Sequence, residues 1–175
     1  MTTNTRLALS AACLLALSGA ACAGGVSVTF VDAEHYADAA YGRAFAGELE
    51  RGEVQRDIEA HLQRLAESGL RPDDTLRVEV LEIDLAGQFE PFRFRPGGDV
   101  RVFRDVSWPR LRLRYTLRHG DQVAESRDEQ LADMHYLASF NRYAKSDRLR
   151  YEKAMLDAWF DRRIAGRSGR AGRRC

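Results

Sequence analysis

The sequence predicts a single α+β domain, and three patterns carry that prediction: stretches of two-residue apolar alternation, a long helical repeat in the first half, and an aromatic helical stripe near the end. The expected order is β-α-α-β-β-β-β-α, a mainly antiparallel sheet of about four to five strands packed by two to three helices. Composition agrees. The 175 residues include 27 Lys plus Arg and 26 Asp plus Glu, and 45 % are apolar. A charged share of 30 % excludes a multi-span membrane protein, and the apolar share with only four Pro argues against a wholly disordered chain.

The first segment reads as an address. Arg6 precedes an apolar run from Leu7 to Leu17, too short to span a bilayer as a helix, and Ala21-Cys22-Ala23 supplies the small-x-small pattern of a signal-peptidase site. Residues 1–23 are therefore expected to be a signal peptide, and the protein periplasmic or secreted. Cys22 leaves an alternative open, a membrane-anchored lipoprotein acylated there. The match is poor, because Gly19 stands where such signals carry Leu and Leu17 lies two places too early. Cleavage after Ala23 leaves Cys175 as the one cysteine, so no internal disulfide is expected.

Residues 24–165 form the expected domain, and residues 166–175 an Arg-rich tail with too little apolar surface to offset its chain entropy. Val26, Val28 and Phe30 alternate with Ser27 and Thr29 as a half-buried strand does. Asp38 to Glu50 carries Tyr41, Phe45 and Leu49 at intervals of four, which predicts a first helical segment broken near Arg51-Gly52. Val54, Ile58, Leu62 and Leu65 then mark one helical face, and Gly69-Leu70 reads as its stop signal. From Thr75 to Leu85 the alternation changes parity between Val80 and Leu81, so a bulge is expected.

A loop follows over 88–99, where Phe92, Arg93, Phe94 and Arg95 offer aromatic and basic side chains to a ligand. Val100 to Val106 predicts a short strand. Leu111, Leu113, Tyr115 and Leu117 then alternate with Arg110, Arg112, Arg114, Thr116 and Arg118, giving a strand with one apolar and one basic face. Gly120-Asp121 turns the chain into a second strand whose register stays open between two- and three-residue loops. Its Glu125, Asp128 and Glu129 are expected to pair with the Arg row. Asp147 reads as the cap of a last helix, with Tyr151, Met155, Leu156, Trp159 and Phe160 on its buried stripe.

Chemistry is sparse. His35, His61, His119 and His135 lack metal-ligand spacing, and Asp57 with His61 reads as an ordinary helix-surface pair. Asp133 and His135 share one side of an extended segment, and with Asp84 or Glu82 nearby they would form a metal or acid/base cluster. No nucleophile elbow, phosphate loop or dinucleotide fingerprint is present. Neither a cofactor nor a metal is expected.

Val28-Thr29-Phe30-Val31, the Leu76 to Gly87 segment, Trp108-Pro109 with Leu113-Arg114-Tyr115, Asp133-Met134-His135-Tyr136-Leu137 and Leu149-Arg150-Tyr151-Glu152-Lys153 together resemble the bacterial family called domain of unknown function 3016. The resemblance spans most of residues 26–161. It implies an exported protein of Gram-negative bacteria without an established activity, and so lends no catalytic residues. The function expected is a non-catalytic binding or interaction module of the envelope, acting on an envelope protein or small ligand through a sheet edge, loop 88–99 or the basic strand face. The alternative is a small metal-dependent or hydrolytic enzyme using Asp84, Asp133 and His135. Nucleic acid is not an expected partner, and membrane contact is expected only through the signal peptide or a lipid on Cys22.

Overall fold

A computed structural model describes residues 25–40, 48–90 and 101–166. The expected signal peptide with Cys22, the positions Tyr41 and Phe45, the loop residues Phe92, Arg93, Phe94 and Arg95, and the tail from Arg167 to Cys175 lie outside them. Four strands, β1 (Gly25–Phe30), β2 (Asp74–Asp84), β5 (Arg110–His119) and β6 (Gln122–Ala132), form one sheet in the order β1-β2-β5-β6. Only β1 and β2 run parallel, joined through α1 (Glu48–Gly69); the other two pairings are antiparallel. A small ribbon of β3 (Gln88–Phe89) and β4 (Arg101–Val102) and a second helix, α2 (Arg150–Phe160), complete the α+β domain.

Alternation along the strands divides the sheet into a covered and an open face. Leu76, Val78, Val80 and Ile83 of β2 meet Leu111, Leu113, Tyr115 and Leu117 of β5 on the covered face, under Val54, Ile58 and Leu62 of α1 and Leu156, Trp159 and Phe160 of α2. Each such side chain contributes about 1.5–3 kcal/mol when fully buried. The expected bulge is present: the β2–β5 register shifts between Val80 and Glu82, so Leu81 is the extra residue and Ile83 returns to the core.

The hairpin register follows the same logic. Gly120-Asp121 makes a two-residue turn between His119 and Gln122, but a shift opposite Leu117 and Arg118 leaves Ala124 unpaired. That extra residue explains why no bulge-free register aligns both strands' faces. Its consequence corrects an expectation: Glu125 and Glu129 point toward the helices, and of the three acids only Asp128 joins the Arg row. Glu129 accepts from Trp159 Nε1 (3.3 Å) and Arg163 Nε (2.9 Å), while Glu125 pairs with Arg127 (2.6 Å). Inward charges on an outermost strand also deter pairing with another sheet.

Two further expectations change, and a third, the stop at Gly69, holds through packing. Helix α1 runs unbroken through Arg51-Gly52, whereas Asp38 is no helix start: it bridges to Asp84, its N–H donating to Ile83 O and its carbonyl accepting from Leu85 N–H. Gly69 ends α1 without a positive φ; a Cβ there would stand 2.4 Å from the Phe160 ring, so its small size serves helix packing. Finally, α2 starts at Arg150 rather than beside Asp147. The Asp147 carboxylate instead closes the preceding turn, accepting from Leu149 N–H (3.0 Å) and Lys153 Nζ (2.7 Å). Beyond Phe160 a π-helical turn, Asp161–Ala165, buries Ile164.

Candidate functional site

The open face is built from the alternate residues of the same strands. Arg114 sits at its centre, held by Asp128 on β6 (2.7 and 3.1 Å) and Glu79 on β2 (3.2 Å), and Glu79 also pairs with Arg77 (3.2 Å). This belt neutralises the middle of the sheet. Toward the hairpin end, Thr116 and Ser126 share a hydrogen bond (3.1 Å) and Arg118 donates to Asp121 O.

At the opposite end two hollows adjoin. One, about 590 Å³, is lined among the described residues chiefly by Tyr36, Asp38, Arg51, Asp84, Phe89 and Arg110. The other, about 340 Å³, adds Glu82, Arg112 and Gln130 and shares Ala37, Asp84 and Arg110 with the first. Arg110 donates to the Asp84 carboxylate (Nε at 2.8 Å) and lies over the Trp108 ring. Glu82 accepts from Ala37 N–H (3.0 Å). Arg51 on one side and Arg112 on the other make no hydrogen bond or ion pair with another described residue.

Beneath the first hollow lies a buried polar node. The Arg101 side chain, 3 % exposed, binds the Asp38 carboxylate and donates to the carbonyls of Ala86 (2.6 Å), Gly87 (3.1 Å), Leu85 (3.2 Å) and Ala40 (3.3 Å). A planar five-donor guanidinium suits this task of tying two chain segments to β4. Burial raises the Asp38 carboxyl above its ordinary range against the pull of Arg101. Glu152 of α2 accepts from Ala86 N–H (2.7 Å) and is pushed up by complete burial. The node fixes the floor of the hollow.

The expected cluster is distributed over separate environments. Asp84 belongs to the hollows, in the grip of Arg110. Asp133 lies past the end of β6, with β5 standing between it and Asp84, and its carboxylate accepts from His135 N–H (3.0 Å). His135 is exposed. No group of three or more His, Cys, Asp and Glu among the described residues has an arrangement able to hold a metal. His61 is likewise not paired with Asp57. It is buried and bonds Asp157 of α2 (2.9 Å), whose carboxylate also accepts from Tyr143 Oη (2.7 Å). Burial lowers the imidazole below its ordinary value, opposed by Asp157.

Sequence reasoning missed Arg51, Asp38, Arg101 and Glu152 as site residues. Glu152 left a signal, since it stands four residues before Leu156 and seven before Trp159 on an otherwise apolar stripe. Arg101 left none, because its partners are carbonyl groups and a carboxylate from distant segments.

A family model described as "Protein of unknown function (DUF3016)" matches residues 24–162. No curated protein and no solved structure matches the chain.

Proposed function

We propose, for a chain that belongs to the DUF3016 family, a non-catalytic binding module that takes a small anionic ligand at the loop end of its open sheet face. The observation that carries this reading is the pair Arg51 and Arg112, two guanidinium groups that make no hydrogen bond or ion pair among the described residues, on either side of the Arg110–Asp84 pair, in adjoining hollows. A guanidinium presents a planar fork of donors that matches a carboxylate or phosphate, so an unpaired one in a hollow suits an anion. Arg101 and Glu152 set the floor without reaching the ligand. Export to the periplasm or beyond belongs to the same proposal and rests on the leader-like residues 1–23.

Titration of isotope-labelled protein with inorganic phosphate, followed by NMR, tests the seat. Saturable shifts confined to the backbone around Ala37, Asp84 and Arg110 to Arg112 are expected. Shifts that never saturate, or that centre on the hairpin end, would overturn it. N-terminal sequencing of protein recovered from an exporting host tests the address: a chain beginning at Gly24 supports it, acylation at Cys22 selects the lipoprotein form, and intact Met1 refutes export.

A further inference from the structure

Apolar side chains are exposed at the loop end of the domain, on two loops that a hydrogen bond holds together. The segment after β6 turns repeatedly and presents Met134 (59 % exposed), Leu137 (48 %) and Phe140 (92 %), while Tyr136 between them is buried and donates to Arg104 O at 2.7 Å. That carbonyl belongs to the turn closed by Ser107 N–H on Arg104 O, whose tip exposes Val106 (71 %). The tips are not loose ends. Asn141 donates to Arg150 O (2.9 Å) and Tyr143 to Asp157 (2.7 Å), so the segment is fastened while its apolar side chains stay outside.

The most exposed charges along the same segment are basic. Arg142 and Lys145 are exposed and Arg148 is about half exposed, although Arg142 and Arg148 also reach Asp157 and Glu53. The two acids are half-buried and engaged locally, Asp133 with His135 N–H and Asp147 with Lys153. An aromatic side chain that almost nothing of its own chain shields, beside cations, differs from a protein-docking hot spot, which sits in a packed patch ringed by water-excluding neighbours. It suits the interface of a bilayer, where apolar tips enter the acyl boundary and Lys and Arg stay among anionic headgroups.

We propose that the loop end docks on an anionic lipid surface, with Met134, Leu137 and Phe140 inserting and Arg142, Lys145 and Arg148 meeting the headgroups. This adds a membrane contact beyond the leader and is independent of the anion seat. A few side chains give weak, reversible attachment, well short of a spanning helix.

Co-sedimentation with vesicles tests it, using protein recovered from the periplasm of an expressing host so that parent and variants share one processed N-terminus. The parent should bind phosphatidylglycerol vesicles several-fold better than phosphatidylcholine vesicles. The triple variant Met134→Ser, Leu137→Ser, Phe140→Ser should bind about tenfold less, in keeping with the loss of three exposed apolar side chains from the interface. Lys145→Glu should weaken binding severalfold. Val123→Ser, which alters an exposed apolar residue beside the hairpin turn at the other end of the sheet, should change nothing. All these positions are exposed, and circular dichroism confirms folding of each variant. Equal binding of parent and triple variant would overturn the proposal and point to the basic residues Arg167, Arg170, Arg173 and Arg174. Absence of vesicle binding, with self-association that the triple variant loses, would overturn it in favour of a contact between copies.

Discussion

The covered and open faces of the sheet are made by alternate residues of the same strands, yet they obey different rules. On the covered face Leu111, Leu113, Tyr115 and Leu117 are buried without interruption, and each fits against helix side chains. On the open face Arg110 and Arg114 bond carboxylates across the strands, while Arg112, between them, makes no hydrogen bond or ion pair with a described residue and only adds its charge to the surroundings of Asp128. Shape sets the first face and charge the second. Substitutions on one should therefore act on stability and on the other on binding.

The largest effect belongs to the covered face. Trp159 is fully buried, edge-on to Tyr115 at 5.4 Å between centroids, with its N–H on Glu129. Trp159→Ala should cost about 3–5 kcal/mol in denaturant melts, as truncations of large core aromatics do. A cost as small as that of an open-face substitution would erase the distinction between the faces. Gly69→Ala comes next. The added methyl would run into the Phe160 ring where the helices meet, and overpacking of about 1–3 kcal/mol outweighs any helix-propensity gain at a terminal position. Unchanged stability would mean that the two helices can separate there freely.

Buried titratable groups sharpen the contrast through pH. Burial holds His61 below its ordinary 6.5, so the unfolded chain takes up a proton that the folded one resists; this contribution is complete above 6.5 and is lost as pH falls. Glu152 is raised above its ordinary 4.5, so the folded state keeps a proton the unfolded chain releases. Its contribution is complete below 4.5 and is lost as pH rises. Glu152→Gln should therefore gain stability relative to the parent from acid to neutral pH, and His61→Gln should lose relative stability over the same rise. Parallel curves for the parent and Glu152→Gln would show that Glu152 is charged in the fold. The smallest effect is on the open face, where Arg114→Ala should barely move the denaturation midpoint, because solvent screens exposed ion pairs.

Much of the fold was legible because periodicity reports faces. The Val80–Leu81 change of parity foretold the β2 bulge, and the Val54 to Leu65 repeat foretold α1. What failed did so for local reasons. Ala124 shifts the hairpin phase, and a sequence with one extra residue fits neither simple register. Spacing from Asp38 resembled a helix, but the residue is taken by the edge of the sheet at Asp84, a tertiary contact no window detects. The site was less legible still. The sequence offers Asp84 to a metal cluster, whereas its partner is Arg110, which faces it only once β2 and β5 are paired. Arg51 reads in the sequence as part of a helix break, and its place beside the hollow depends on how the unbroken α1 packs.

The most direct measurement combines the double variant Arg51→Ala, Arg112→Ala with two readouts, the denaturation midpoint and phosphate binding. The account predicts an unchanged midpoint and loss of saturable binding, since these guanidinium groups hold nothing within the described chain. A variant that binds phosphate as the parent does, or that loses stability as Trp159→Ala does, would contradict the assignment of binding to the open face.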